Sequence, residues 1–383
     1  MHADKLIQLL TIIGTRPQII KSAAVSRVIR KDFSNQMEEW VVHTGQHYDN
    51  TLSQVFFDEL DIPMPRYNLA AGSDSGSRQT AKMIAGLDAV MTEKQFDGVL
   101  LYGDTNSTLA GAIAAAQHGL PVFHVEAGLR SFDRTMPEEM NRIVCDHLSN
   151  ICFAPTNNAY EQLVQEGLDD SRPHFADNRK RELVESGDVM YDNCLYYAEK
   201  RSDPVRMLHQ LQLQTDGYVL ATIHRKNNTD CPDRLEQILL ALSDIARDRH
   251  LPVVLPLHPR TRKAMEKLPH CSTMHLQMLP PAGYLAMAEL ERNARVVITD
   301  SGGVQKEAFF YERPCVILRS ETEWTEIVHH GAGILADADR MRIVDAYDAI
   351  TGRAIHFPPL FGDGHAAENI VRHIVQYITG DNN

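Results

Sequence analysis

LIQLLTIIG at residues 6–14, followed at residues 17–32 by PQIIKSAAVSRVIRKD, decides the architecture of this chain. The first run is almost continuously apolar and closes on Gly14, as a strand covered on both faces does. The second carries helical periodicity and has Pro17 where a first helical turn tolerates it. The unit then recurs. EWVVHTG (39–45), DGVLLYGD (97–104) and PVFHVEAG (121–128) are each an apolar run ending in glycine or polar residues, with a loop or helical pattern after it. Continuous apolar strands separated by helices predict parallel βαβ units.

A second series begins near residue 217. YVLATIHR (218–225), PVVLPLHP (252–259), TMHLQML (273–279), RVVITDSGG (295–303) and PCVILRS (314–320) are strand-like, again with helical patterns between them. At 383 residues the chain also exceeds what one hydrophobic core usually serves. The fold class expected is therefore α/β, with two Rossmann-like doubly wound domains. The boundaries expected are 1–185 for the N-terminal domain and 186–363 for a C-terminal, nucleotide-binding domain. For residues 364–383 the expectation is a helix packing back on the first domain. The segment 190–215 reads as a helical link, and the polar stretch 169–181 as a surface loop. In such sheets ligands sit at the carboxyl ends of the strands, here in a cleft between the domains.

Composition narrows the function. A net charge of −13 argues against broad nucleic-acid binding. No apolar run reaches 18 residues and no signal core opens the chain, so membrane insertion and secretion are not expected and the cytoplasm is. The six cysteines are scattered without a CxxC pair and read as reduced packing residues.

The chemistry concentrates at the strand ends. GTRPQIIK puts Arg16 and Lys21 about a helix start, where amides and cations suit a phosphate, although the motif taken alone favours a tight turn with solvated cations. Asp104 in YGDTNSTLAG either caps the next helix or acts as a catalytic carboxylate. HVEAGLRSFDRTMPEEMNR packs His124, Glu126, Arg130, Asp133, Arg134, Glu138, Glu139 and Arg142 into 19 residues, and crowded carboxylates can furnish both an acid and a base. His224 and Arg225 end one strand of the second half, and His258 ends another. In ITDSGGVQKEAFF, Ser301, Gly302 and Gly303 open a helix fit for a diphosphate, with Glu307 a turn in to accept from ribose hydroxyls. His43 and His47 lack a third ligand for zinc. GxGxxG, GxSxG, HExxH and the Walker loop are absent.

Taken in order, GTRPQIIK, HTGQH, YGDTNSTLAG, HVEAGLRS, PEEMNR, His224-Arg225, DSGGVQKEA and ETEWTE resemble the non-hydrolysing UDP-N-acetylglucosamine 2-epimerase family from about residue 8 to residue 370. The resemblance implies a glycosyltransferase-B arrangement of the two domains, a homodimer, and no metal or nicotinamide cofactor. It implies Asp104, Glu126, Glu138 and His224 as catalytic residues. It further implies substrate contacts from Arg16, Lys21, Arg225, His258, Ser301, Gly302, Gly303, Glu307 and Arg319. LRSFDRTMPEE is similar to the subgroup acting on UDP-2,3-diacetamido-glucuronic acid for surface polysaccharides. Where the family usually has Glu after GTRP, this chain has Gln18. The rival expectations are a glycosyltransferase of the same architecture, a hydrolysing epimerase and a non-catalytic sugar-nucleotide sensor.

Overall fold

The computed structural model describes residues 6–46, 57, 59–169, 180–199, 205–268 and 275–380. The chain divides into two compact units, residues 1–195 with 359–383, and residues 196–358.

In the first unit the strands are β1 (Ile7–Ile13), β2 (Met37–His43), β3 (Tyr67–Asn68), β4 (Gly98–Tyr102), β5 (Val122–Val125), β6 (Ile151–Ala154) and β7 (Glu182–Glu185). They form one sheet in the order β3-β2-β1-β4-β5-β6-β7, parallel throughout. The chain leaves β1 through Thr15, extended at φ −138°, into the helix Arg16–Asp32, whose first turn holds Pro17 and whose last turn carries Arg30 and Lys31. Proline lacks only an N–H that has no helical partner there, and the two cations face the negative end of the helix dipole. Leu10, Ile12, Val99 and Leu101 bury one sheet face against Leu87, Val90, Ala112 and Ala115 of the helices Gly76–Glu93 and Asn106–Gln117.

The second unit repeats the plan with β8 (Val219–Thr222), β9 (Val253–Pro256), β10 (Leu276–Leu279), β11 (Val296–Thr299), β12 (Cys315–Ile317) and β13 (Gly333–Leu335). Their order is β10-β9-β8-β11-β12-β13, again all parallel. Both sheets therefore reverse winding direction once, between β1 and β4 and between β8 and β11. Just outside the carboxyl ends at such a reversal, successive connections diverge to opposite faces and leave a crevice.

Residues 186–195 and 359–363 belong to the first unit, because the helix Val189–Glu199 starts against it. Asn193 Nδ2 donates to the carbonyl of Ile20 at 2.6 Å, and Asp192 accepts from the amides of Ala366 and Ala367 at 3.1 and 2.7 Å. Those amides begin the C-terminal helix Ala366–Thr379, which lies on the first unit: Tyr377 stacks edge-on against Phe123 at 5.6 Å and its hydroxyl accepts from Asn150 at 2.8 Å. The polar loop expected at 169–181 and the link at 190–215 fall partly outside the described residues, as do His47 and Cys271. Among the described residues no helix is long and apolar enough to cross a membrane.

Candidate active site

In the first unit the site assembles on Gly103, which follows β4 at φ +63°, a conformation that favours glycine. A Cβ at Gly103 would lie 3.1 Å from Lys21 Nζ and 3.4 Å from Glu126 Oε2, so the Lys21–Glu126 ion pair rests directly over this backbone. Glu126 itself sits at φ +73°, unusual for a residue with a side chain. Its amide and that of Ala127 both donate to the carbonyl of Phe153, at 3.1 and 3.0 Å. Backbone held in a sparsely populated region by surrounding bonds is the pattern of functional positions.

Asp104 does not cap the following helix. Thr105 does so, accepting from the amide of Thr108. The Asp104 carboxylate instead pairs with Arg142, one-third exposed where the guanidinium is buried. Arg142 leans on Glu139, donating from Nε and Nη2 at 3.2 and 3.1 Å. Glu139, 1 % exposed, also accepts from Ser131 N, Ser131 Oγ and Phe132 N at 2.9, 3.0 and 3.0 Å. Burial pushes its carboxyl up, but the two amides and Arg142 outweigh burial and hold it below the usual range. Glu138 is exposed in the first turn of the helix Pro137–Leu148. The carboxylate woven into the loop is thus its neighbour.

Beneath these groups His124 and Asp146, both fully buried, meet at 2.7 Å, and the other ring nitrogen of His124 contacts the carbonyl of Gly103 at 2.8 Å. Burial raises Asp146, while His124 and Arg130 hold it low. Gln18 is a strut. It accepts from Gly14 N at 2.9 Å and donates to the carbonyl of Tyr102 at 2.9 Å, bonding the ends of β1 and β4 on either side of the reversal. A carboxylate could accept there but could not donate. Arg16 stands half-buried at the start of its helix.

In the second unit Asp300, fully buried after β11, gathers the end of β8. His224 N and Arg225 N donate to it at 3.1 and 3.0 Å, and His224 Nδ1 lies 3.0 Å from its Oδ1. Ser301 caps the helix Gly302–Phe310, accepting from Val304 N at 3.4 Å, so Gly302 and Gly303 present the first amides of that helix. Trp324 Nε1 and Glu323 Oε2 would lie 3.6 and 4.0 Å from a Cβ on Gly302, which puts the ETEWTE segment beside this turn. Arg319 spends two donors on Glu323 at 2.7 and 2.9 Å, and Arg225 approaches the same carboxylate at 3.9 Å. Burial raises Glu323, yet Arg319 and then Arg225 bring it down to about 2.

Glu307 is buried in the helix, and burial together with the Glu307 charge holds Glu291 well above the usual carboxylate range. His258 is exposed and caps the helix Pro259–Met265 through Arg260 N. Among the described residues no three His, Cys, Asp or Glu side chains are disposed to hold a metal ion.

The structure therefore brings together Lys21, Asp104 and Glu126 at one reversal point, and His224, Arg225, Ser301, Gly302 and Arg319 at the other. Sequence reasoning assigned no function to Asp300, Gln18 or Glu323: Gln18 and Glu323 each join a partner four residues away to one tens of residues away, and the Asp300 partners at the end of β8 lie more than 70 residues earlier.

Doubly wound units of this order, with carboxylates and cations at one reversal and a Ser-Gly-Gly helix start at the other, define an enzyme of the nucleotide-binding α/β class. The chain belongs to the UDP-N-acetylglucosamine 2-epimerase family, whose model matches residues 31–375. It is 42% identical to UDP-2,3-diacetamido-2,3-dideoxy-D-glucuronate 2-epimerase of Pseudomonas aeruginosa, over 97% of this chain and 100% of the relative. It is also 42% identical to a UDP-N-acetylglucosamine 2-epimerase homolog of Methanococcus maripaludis, over 95% and 98%. The crystal structure of Methanocaldococcus jannaschii UDP-GlcNAc 2-epimerase in complex with UDP-GlcNAc and UDP is similar at a TM-score of 0.85 and 36% identity, over 97% of this chain and 100% of that one.

Proposed function

We propose that this chain inverts carbon 2 of a UDP-linked 2-acetamido sugar, either UDP-N-acetylglucosamine or the 2,3-diacetamido-glucuronate equivalent, without a cofactor. The observation that carries the reading is the pair of carboxylates Asp104 and Glu126, each joined to its own cation on either side of Gly103. Inversion without a redox step needs a base on one face of the ring and an acid on the other. A carboxylate takes the proton from carbon 2, that electron pair forms the C1–C2 double bond, and the C1–oxygen bond to UDP breaks with its pair leaving on the diphosphate. Return of UDP to C1, with protonation of C2 from the opposite face, gives the epimer.

In this reading Asp104, Glu126 and Glu138 form the acid/base set and His224 serves the departing diphosphate. Arg16, Lys21, Arg225, His258 and Arg319 balance substrate charge, while Ser301, Gly302, Gly303 and Glu307 hold UDP. Preorganised donors at the departing diphosphate contribute most where charge develops. The reading includes a homodimer working in the cytoplasm on precursors of surface polysaccharide.

The test incubates the enzyme with each of the two sugar nucleotides in deuterated water, without an acceptor. The expected product carries deuterium at carbon 2 and no net UDP is released. Epimer without that label overturns the elimination route. Net release of UDP with free sugar makes the enzyme a hydrolase, and failure to convert either substrate overturns the assignment.

A further inference from the structure

The geometry points to Asp300 as the positioning residue that fixes the tautomer and orientation of His224, an inference that rests on the proposed role of His224 at the departing diphosphate. The carboxylate of Asp300 is fully buried, and apart from the His224 ring every polar group turned on it from the β8 end is a donor. Oδ1 meets His224 N at 3.1 Å and His224 Nδ1 at 3.0 Å, and Oδ2 meets Arg225 N and Asn228 Nδ2, each at 3.0 Å. A carboxylate can only accept, so Nδ1 carries the proton. Nε2 is thereby the nitrogen left to exchange a proton with a ligand.

The arrangement is fixed from behind as well. Asn228 donates to Asp300 and, at 3.2 Å, to the carbonyl of Leu318, and its own oxygen accepts from Arg234 Nε and Nη2 at 3.1 and 3.0 Å. Arg234 in turn pairs with Asp337. The Asn228 amide can satisfy these partners in one orientation, so Asp300 has no freedom to turn away from His224. Two backbone amides and one imidazole on a single carboxylate make the end of β8 and the ring one rigid body. A histidine whose ring were free to rotate would present Nε2 to the diphosphate in a fraction of encounters.

Two measurements test this. Imidazole 15N shifts of the histidine-labelled enzyme, with the His224 signals assigned by their loss in His224→Asn, are expected to show the Nδ1–H form in the neutral ring. A dominant Nε2–H form overturns the inference whether or not the enzyme epimerises a sugar nucleotide. In kinetics, Asp300→Asn offers an amide to the ring, reverses the tautomer, and is expected to lower kcat about 100-fold. KM for the UDP-sugar should change less than about 3-fold. In the His224→Asn background the same substitution should lower kcat by less than about 3-fold, because Asp300 then has no ring to orient. A further 100-fold loss in that background would mean a structural role and overturn the inference. Should Asp300→Asn fail to fold, the 15N measurement on the unsubstituted enzyme decides alone. Absence of epimerisation alongside the Nδ1–H form would refute the proposed function and leave the positioning intact.

Discussion

Glu139→Gln isolates what the charged girder under Asp104 is worth. All five described partners of this carboxylate are donors: two backbone amides, one hydroxyl and two guanidinium nitrogens. Glutamine keeps one oxygen and brings an NH2 group that must face a donor in either orientation. In its better orientation the oxygen takes the position of Oε2, and the NH2 opposes Phe132 N, now a buried donor without an acceptor. That costs about 1–3 kcal/mol, and turning the charge-assisted bonds from Arg142 into neutral ones costs about 1–2 kcal/mol more. The sum is about 3 kcal/mol, a fall in melting temperature of roughly 6–12 °C for a unit of this size. Denaturant unfolding and calorimetry at pH 7.5 read it directly. The sign with pH follows from a carboxyl held low in the fold: its contribution is present above the unfolded value and is lost as pH falls through the folded value. The deficit of the variant should therefore shrink only as pH falls below the unfolded value of about 4.5 and on through the lower folded value. A loss under about 1 kcal/mol at pH 7.5, or one that does not change with pH, would refute the account of Glu139 as an ionised clamp.

Burial raises the Asp192 carboxyl to about 6, despite its bonds to Ala366 N and Ala367 N. A raised acid stabilises the fold below its unfolded value and loses that contribution as pH rises toward 6. Between pH 4 and pH 7 the stability of Asp192→Asn relative to the parent should thus improve by about 3 kcal/mol, read by urea unfolding at each pH. An unchanged difference across that range would show that the carboxyl titrates normally. Gly103→Ala puts a Cβ against Lys21 and Glu126 at a left-handed φ. It should cost about 1–2 kcal/mol of stability and lower kcat at least about 10-fold, whereas wild-type turnover would separate Gly103 from the site.

The strands were the most legible part of this chain, for a physical reason. LIQLLTII and RVVIT are apolar without alternation because helices cover both faces of their sheets, and that burial is written in each residue. Strand order is not, since it depends on which connection crosses which face. Adjacent identical residues mark another limit. Glu138 and Glu139 differ by about 100° around one helix, so one faces water and the other is buried among donors, and PEE alone does not say which. Asp104 was visible as a strand-end carboxylate, but its pairing with Arg142, 38 residues on, was not. Asp300 ends the strand before the Ser-Gly-Gly helix, whereas its partners come from the end of β8, more than 70 residues earlier. The divide between units falls at residue 195, inside the helix Val189–Glu199, whose periodicity does not say which unit it covers.

The return of the last helix to the first unit bears on how the chain is made. Asn150 and Tyr377 are 227 residues apart in sequence, yet their side chains bond beside β5 and β6. On the ribosome the whole second unit emerges before Tyr377 exists to complete the first. The second unit is continuous in sequence and its contacts can close in one stretch of synthesis, whereas the first must wait with Phe123 and Asn150 uncovered. The half that carries Asp104 and Glu126 is begun first and finished last.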